Sequence, residues 1–328
     1  MSTSVSVIIP IRNGAQYLSS CLRALRKSDY KKIEIIVVDD HSTDHSTLIA
    51  DQFQCTVVRC ARGGGANYAR NLGAQAASGE VLVFIDCDVV VQRDTITLIV
   101  EHLDEFEVDA VVGIYTAKHR HESFISQYKN LWVRYSYLKS PPEIDWMFGA
   151  ISGIKQAAFR EIGGFDVKLM AKHGNDDIEL GKRLTLHDLS IMLSMEIEVE
   201  HLKRYSLSSF IKNQFNRSAG FAELALKLGD VARSFQRGFA NVYPEFIIST
   251  IISFPLFVTL LLSAFDVIGP TPSYVGLALY GLVNVRFLNY LEQVRGLFAM
   301  IVMIPILFID HLVCCIGSVA GVLRALSQ

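Results

Sequence analysis

Short, largely apolar runs, separated by helix-like segments, most constrain the fold of this chain. Three such runs occupy residues 5–10 (VSVIIP), 33–38 (IEIIVV) and 81–85 (VLVFI). Runs that are apolar at nearly every position, rather than at alternate positions, are typical of strands that a parallel sheet buries on both faces. The segments between them carry apolar residues at helical spacing, as in strand–helix–strand units. We therefore predict an α/β domain with a Rossmann-like, mostly parallel sheet covered by helices.

Shorter signals extend this pattern along the first two thirds of the chain. Strands are predicted at residues 56–59, 110–115 and 191–199, and helices at 16–27, 47–53, 66–77, 94–106 and 176–186. Residues 116–148 are polar and aromatic, and Pro141-Pro142 interrupts any regular pattern. We interpret that segment as a flexible loop region.

Three pairs of acidic residues follow one another along the chain. They are Asp39 and Asp40, Asp86 and Asp88, and Asp176 and Asp177. The first two pairs come directly after predicted strands, and ligands of such sheets bind beyond the carboxyl ends of the strands. Carboxylates one residue apart suit a hard cation that keeps positions open for phosphate oxygens. The pairs therefore predict a site for Mg²⁺ or Mn²⁺ and a nucleotide diphosphate, although each pair also fits a turn or a helix cap.

Charge and cysteine content exclude some other classes. The net charge is −2 and the isoelectric point is about 6.5, which argues against general binding of nucleic acid. The six cysteines show no zinc-binding spacing, and the start of the chain does not resemble a secretory signal. We therefore expect this part of the protein to face a reducing cytosol.

The last third of the chain has the composition of a membrane region. Residues 246–265 and 297–323 form long apolar runs, the second interrupted by Asp310-His311. Residues 267–285 contain Pro270 and Pro272, so they fit either a third span or a re-entrant segment. Arg286 and Arg295 follow, as in a cytosolic loop. We predict a cytosolic domain at residues 1–235 and a transmembrane region at 241–328 with two or three helices.

The segment before these runs, at about residues 203–240, alternates aromatic and basic residues. The pattern fits amphipathic helices at a membrane surface, or an ordinary helix packed on the domain. Its members are Phe210, Lys212, Phe215, Arg217, Phe221, Lys227, Arg233, Phe235, Arg237 and Phe239.

Several motifs together resemble the family 2 glycosyltransferases of the GT-A fold. They are VSVIIPIRNG, IEIIVVDDHSTDHS, ANYARNLGAQAASGEVLVFIDCDV, ISGIKQAAFREIGGFD, NDDIELGKR and QFNRS, and they cover roughly residues 5–220. With its apolar tail, the chain is similar to the membrane-anchored members that glycosylate lipid-linked or exported acceptors. The resemblance implies a hexosyltransferase that takes its sugar from a UDP- or GDP-linked donor.

The resemblance also implies roles at the donor side. Pro10 and Arg12 would begin the nucleotide pocket, Asp39 would bind the base, and Asp40 would lie beside base and ribose. Asp88 would ligate the metal, and Asp86 would contact the ribose or the metal. The remaining expected donor-side residues are Arg70 and Asn71 near the sugar nucleotide, His201 at the metal or diphosphate, and Gln214 and Arg217 closing over the diphosphate.

At the acceptor side, the resemblance implies that Asp177 is the general base and that Asp176 lies beside it. The family's Q-x-x-R-W element is incomplete here, because Ser218 replaces the tryptophan, and this argues against a processive polysaccharide synthase. Three alternatives remain open: transfer to a growing polysaccharide, a nucleotidyltransferase, and a catalytically inactive membrane scaffold.

Overall fold

The computed structural model describes residues 3–167, 176–229 and 240–327. The chain divides into two compact units. One comprises residues 1–120 and 140–203, and the other comprises residues 121–139 and 204–328. We call them the sheet unit and the helical unit. The predicted boundary near residue 235 differs from this division, because residues 121–139 and 204–229 group with the C-terminal helices.

The eight strands of the described residues all belong to the sheet unit. They are β1 (Val5–Ile11), β2 (Ile33–Asp39), β3 (Thr56–Arg59), β4 (Val81–Ile85), β5 (Val89–Val90), β6 (Ala110–Tyr115), β7 (Ile151–Lys155) and β8 (Ile191–His201). Their order across the sheet is β3-β2-β1-β4-β7-β6-β8-β5.

The first half of the sheet is parallel, as predicted. Strand β1 lies between β2 and β4, with Ile9 opposite Val37 and Val7 opposite Val83. All seven residues of β1 are buried, which explains why the run is apolar without alternation. In the second half β7 runs antiparallel to β4 and β6, while β8 runs parallel to β6. The sheet is therefore mixed but mostly parallel.

The first seven helices of the described residues precede β8 in the chain. They are α1 (Ala15–Leu25), α2 (Ser46–Gln52), α3 (Gly65–Ala76), α4 (Thr95–Glu105), α5 (Phe124–Leu138), α6 (Gln156–Glu161) and α7 (Asp176–Leu186). Six of them belong to the sheet unit, and α5 belongs to the helical unit. Helix α3 lies close to β1 at Gly73, where a Cβ atom would come within 2.4 Å of the Ile8 side chain. This close approach fixes the position of α3, the helix that carries Arg70, against the sheet.

Helix α5 contradicts the prediction that residues 116–148 form a flexible loop region. The segment lacks a clean apolar stripe, because Gln127, Lys129 and Asn130 are buried in the helix. Lys129 donates a hydrogen bond to Gln214, and the Tyr128 hydroxyl donates to Asp310 Oδ2 at 2.7 Å. Lys129 and Tyr128 are therefore hydrogen-bonded to distant parts of the helical unit, to which α5 belongs.

The helical unit continues with α8 (Leu207–Lys227), α9 (Pro244–Ala264), α10 (Thr271–Arg295) and α11 (Leu297–Leu326). Among the described residues, α9 and α11 are the helices long and apolar enough to cross a membrane. Helix α10, which follows Pro270 and includes Pro272, does not meet that test. By length and composition, two of the predicted two or three spans thus have a candidate helix among the described residues.

Helices α8 and α11 pack closely through small residues. A Cβ atom at Gly321 would lie 2.1 Å from the Ala219 carbonyl oxygen, and one at Gly317 would lie 2.2 Å from the Ser218 hydroxyl. Phe210 on α8 is fully buried, whereas Lys212 is exposed. The part of the predicted interfacial segment that forms α8 is therefore a packed helix of this unit. Four other residues of that segment lie outside the described residues: Arg233, Phe235, Arg237 and Phe239.

Candidate functional site

Asp40 holds the glycine loop at the end of β2. Its Oδ1 accepts a hydrogen bond from the Gly64 amide at 2.9 Å, and its Oδ2 accepts one from the Gly65 amide at 3.0 Å. Gly65 has a φ of +78°, a conformation that glycine adopts without strain. The buried carboxylate therefore fixes the course of residues 63–65, the loop that leads into α3.

Asp39 lies beside Asp40 and is also buried. Its Oδ1 accepts a hydrogen bond from the Ser42 amide at 3.0 Å. Arg12 extends from the end of β1 with its guanidinium 3.9 Å from Asp40 Oδ2, and its side chain is 64% exposed. Pro10 is buried in β1 opposite Val38. The structure thus brings four of the predicted nucleotide-pocket residues to the adjacent ends of β1 and β2.

Asp86 lies at the end of β4 and is paired with Arg70 of α3. Arg70 Nη2 donates to Asp86 Oδ1 at 2.7 Å and to the Gly149 carbonyl oxygen at 3.3 Å. The Arg70 side chain is 8% exposed, whereas that of Asp86 is 37% exposed. One carboxylate oxygen of Asp86 therefore binds Arg70, and the Asp86 side chain is partly accessible to solvent.

Asp88 lies beside His201, with 3.7 Å between Asp88 Oδ2 and His201 Nε2. Burial by itself raises the pKa of Asp88, but its interactions with His201 and with the positive charge of Lys203 outweigh burial and lower that pKa below its ordinary value. The His201 ring is stacked on Tyr115, with the ring centroids 4.5 Å apart. Leu202, the residue after His201, donates its amide to the Asp88 carbonyl oxygen at 2.7 Å, so the backbone holds Asp88 close to His201.

Asp177 is in the first turn of α7 and contacts the same backbone segment as Arg70. Its Oδ2 accepts a hydrogen bond from the Gly149 amide at 3.3 Å, and its Oδ1 accepts one from the Ile178 amide at 3.0 Å. Gly149 thus joins Arg70 through its carbonyl and Asp177 through its amide. The side chain of Asp176, the predicted neighbour of the base, lies outside the described part of the chain.

Asn71 does not extend toward the carboxylates. Its Nδ2 donates to the Phe165 carbonyl oxygen at 2.8 Å, and its Oδ1 accepts from the Phe165 amide at 2.9 Å. Both ends of the amide are therefore used to hold the backbone at Phe165. Direct contact of Asn71 with the donor stays a prediction.

Gln214 and Arg217 are on α8 of the helical unit. Gln214 is buried, accepts a hydrogen bond from Lys129 and donates one to Asp310. Arg217 Nη2 donates to Asn241 Oδ1 at 3.1 Å, and its guanidinium lies over the rings of Trp132 and Phe221 at 5.1 and 5.3 Å. Within that unit both side chains have roles in helix packing.

The residues at Asp88 fit a divalent ion that binds with few protein ligands. A carboxylate oxygen and an imidazole nitrogen face each other there, and both suit Mn²⁺, while the carboxylate suits Mg²⁺. No group of three or more His, Cys, Asp or Glu side chains among the described residues has the geometry of a complete metal site. Mg²⁺ sites commonly use one or two carboxylates and complete the coordination with phosphate oxygens and water.

Sequence reasoning missed the parts of this site that are backbone. Gly149 connects Arg70 with Asp177 through a peptide group, which leaves no trace in side-chain chemistry. Tyr115, whose ring also lies 5.0 Å from Phe148, was predicted as a strand residue and not as a support for His201.

Two family models match the chain. The model described as glycosyl transferase family 2 matches residues 6–163, and the one described as the N-terminal domain of galactosyltransferase matches residues 130–207. Together they cover both strand-end carboxylate pairs, Asp177 and His201.

Relatives with similar sequences include glycosyltransferases of streptococci and staphylococci. Glycosyltransferase GlyG of Streptococcus pneumoniae is 38% identical over 120 residues, which is 35% of this chain and 40% of that protein. GlyA of the same species is 28% identical over 62% of this chain and 31% of its own length. The poly(ribitol-phosphate) β-N-acetylglucosaminyltransferase TarS of Staphylococcus aureus is 30% identical over 33% of this chain and 20% of its own length. The chain therefore spans less than half of each of these three relatives.

Solved structures show the same fold. The mannosyltransferase PcManGT from Pyrobaculum calidifontis, in complex with GDP-Man and Mn²⁺, has a TM-score of 0.65 at 19% identity over 92% of this chain and 87% of that one. Residues 1–349 of S. aureus TarS, in complex with UDP-GlcNAc, have a TM-score of 0.50 at 20% identity over 71% of this chain and 73% of that one. At these identities the likeness establishes the GT-A fold predicted from the sequence.

Proposed function

Since the chain belongs to glycosyltransferase family 2, we propose that it transfers a sugar from a UDP- or GDP-linked donor to a lipid or lipid-linked acceptor. The reaction would take place at the cytosolic face of a membrane and would invert the configuration at the anomeric carbon. The observation that carries the proposal is the pair Asp88 and His201 at the end of the sheet, with Asp86 and Arg70 beside it. Two membrane-length helices support the membrane part.

The donor would bind across the ends of β1, β2 and β4. Asp39 would accept from the base edge, while Asp40 keeps the glycine loop in place and Arg12 contributes a positive charge nearby. Arg70 neutralises one oxygen of Asp86, so that the two carboxylates of the Asp86-Cys87-Asp88 motif do not repel each other fully. This leaves Asp86 free to contact the ribose with its other oxygen.

Asp88 and His201 are the residues that would hold Mg²⁺ or Mn²⁺. When bound, the ion supplies positive charge that stabilises the departing nucleotide diphosphate. The PcManGT structure was solved with GDP-Man and Mn²⁺, and that composition supports a similar donor complex here.

Asp177 would receive the acceptor's proton. As the acceptor oxygen bonds to the anomeric carbon, the bond from that carbon to the diphosphate breaks, and the hydroxyl proton passes to a carboxylate oxygen of Asp177. The amides of Gly149 and Ile178 donate to the two oxygens of this carboxylate and orient it. An acceptor that is already ionised, such as a lipid phosphate, would not need the base.

The test uses purified full-length protein in detergent with Mn²⁺, labelled UDP- and GDP-sugars and a membrane-lipid extract. Label in the organic phase, lost in Asp88→Asn and retained in the exposed control Asp51→Asn, is the expected result. Nucleotide release without labelled lipid would instead favour an acceptor in the aqueous phase, such as a growing polysaccharide. Failure of the protein to bind any UDP- or GDP-sugar would overturn the enzymatic proposal in favour of a scaffold.

A further inference from the structure

The helical unit contains an apolar cavity of about 220 Å³. It lies among α5, α8, α9 and α11, and its lining includes Trp132, Phe221, Leu226, Phe246 and Val322. A cavity of about 150 Å³ with such a lining stays dry and takes up small hydrocarbons. This cavity is larger, so it has room for part of a hydrocarbon chain.

The two membrane-length helices form part of the cavity wall. Helix α11 contributes Cys314, Ser318 and Val322, which share one face at four-residue spacing, and α9 contributes residues that include Ile247 and Thr250. If α9 and α11 cross a bilayer, the cavity adjoins the hydrocarbon phase. A lipid chain is then the most abundant apolar ligand available to it.

The cavity also has polar groups at its wall. Among the described residues that line it, Arg217 is the one charged side chain. The Trp132 indole N–H and the Thr250 hydroxyl are buried there without a hydrogen-bond partner among the described residues. Buried donors without partners are destabilising, and a ligand with anionic oxygens would satisfy them. A guanidinium is the side chain best suited to a phosphate group.

From these observations we propose that the cavity binds a lipid with one hydrocarbon chain and a terminal phosphate, the chain lying along Phe221, Leu226 and Val322 and the phosphate at Arg217. The inference rests on the proposed function, because it identifies this lipid with the acceptor of the transfer. Among its described lining residues the cavity presents one cation, and its volume is about 220 Å³, which favours a single-chain lipid phosphate over a two-chain phospholipid.

The chain offers its own probe for this proposal. It has two tryptophans, of which Trp132 lines the cavity and Trp146 belongs to the sheet unit. In a Trp146→Phe background, emission therefore reports on Trp132 alone. The full-length protein would be placed in nanodiscs of phosphatidylcholine and titrated with dodecyl phosphate carrying bromine atoms on its chain, which quench indole fluorescence on contact.

We expect saturable quenching by this phosphate and, for the matched brominated dodecanol, half-saturation at a concentration at least about tenfold higher. Arg217→Gln should weaken binding of the phosphate about tenfold. Lys212→Gln, on the same helix but away from the cavity, should leave binding unchanged. Ala222→Phe should obstruct the chain, whereas Ile211→Phe, which adds bulk outside the cavity, should not.

Three results would overturn the proposal. The first is absence of quenching in the Trp146→Phe protein, and the second is equal quenching by the brominated alcohol and the brominated phosphate. The third comes from a competition experiment, in which farnesyl phosphate or phosphatidylglycerol is added to displace the bound brominated phosphate. Equal displacement by the two competitors at equal mole fraction would contradict a site for a single-chain lipid phosphate. Binding of UDP- and GDP-sugars, measured on the same samples, separates the two proposals. Sugar-nucleotide binding without quenching refutes the lipid site alone, and quenching without sugar-nucleotide binding refutes the transferase alone.

Discussion

Arg70 Nη2 lies 2.7 Å from Asp86 Oδ1 and also donates to the Gly149 carbonyl oxygen at 3.3 Å. This guanidinium joins three segments that are far apart in sequence: helix α3, the end of β4 and the loop before β7. A Cβ atom on Gly149 would come within 2.6 Å of Arg70 Nη2, so the loop backbone packs directly on the guanidinium. Asp177 contacts the other side of the same glycine through the amide.

Removing this guanidinium should destabilise the protein. Arg70→Met leaves Asp86 without its partner and the Gly149 carbonyl with one hydrogen bond fewer. Because Asp86 is 37% exposed, water compensates part of the loss, and we expect the free energy of unfolding to fall by about 2 kcal/mol. Chemical denaturation of the detergent-solubilised protein measures it. The control is Arg93→Met, which breaks the exposed pair with Asp29 and should cost less than about 1 kcal/mol. Equal losses in the two variants would contradict the role given to Arg70.

The glycine loop held by Asp40 should control nucleotide affinity. Asp40→Asn retains one acceptor oxygen but cannot accept from both Gly64 and Gly65, so the loop loses a hydrogen bond. Gly65→Ala forces a side chain into a backbone with φ of +78°. We expect each change to raise the dissociation constant for UDP or GDP about tenfold, as measured by calorimetry.

Gly63→Ala is the matched control for this loop. Its added Cβ atom would meet no atom within 4 Å, and its φ is not in the left-handed region. The dissociation constant should therefore stay within about twofold of the parent value. A Gly63→Ala defect as large as that of Gly65→Ala would indicate that overall flexibility, and not the fixed course of the loop, governs binding.

The sequence predicted those parts of the fold and site that depend on local pattern. Apolar runs located β1, β2 and β4, and the acidic pairs that follow β2 and β4 do lie at strand ends. Helix α5 was missed because its buried polar residues depend on partners such as Gln214 and Asp310, which are 85 and 182 residues away. The pairing of Asn71 with the Phe165 backbone was equally invisible, because a peptide group can accept or donate whatever its side chain is.

Glu34 should make stability depend on pH in the acidic range. Burial raises the pKa of Glu34, but hydrogen bonds from Ser6 and from the amide and hydroxyl of Ser78 outweigh it and lower the pKa below the ordinary value. A carboxyl with a lowered folded-state pKa contributes stability above its unfolded pKa, near 4.3, and this contribution is lost as the pH falls through the folded-state pKa.

Replacing this carboxylate should flatten the acid side of the stability curve. Glu34→Gln is expected to lower the free energy of unfolding at pH 7 by about 1 kcal/mol and to reduce its change between pH 7 and pH 3.5. Glu101→Gln, on the exposed side of α4, should follow the parent curve. Parallel curves for the parent protein and Glu34→Gln would show that the hydrogen-bonded carboxylate does not titrate as argued.

Replacing Asp177 should distinguish a hydroxyl acceptor from a lipid phosphate acceptor. With a hydroxyl acceptor, Asp177→Asn removes the group that takes the proton, and kcat should fall by about 10²- to 10⁴-fold while the dissociation constant for the sugar nucleotide is unchanged. With a lipid phosphate the attacking oxygen is already ionised, so kcat should fall by less than about tenfold. The control is Asp188→Asn after the same helix, where the left-handed backbone (φ of +60°) accepts asparagine. Rates measured with farnesyl phosphate and with a hydroxyl-bearing glycolipid distinguish the cases, and a large, equal loss with both would mean that Asp177 orients the donor or the loop at Gly149 and is not the base.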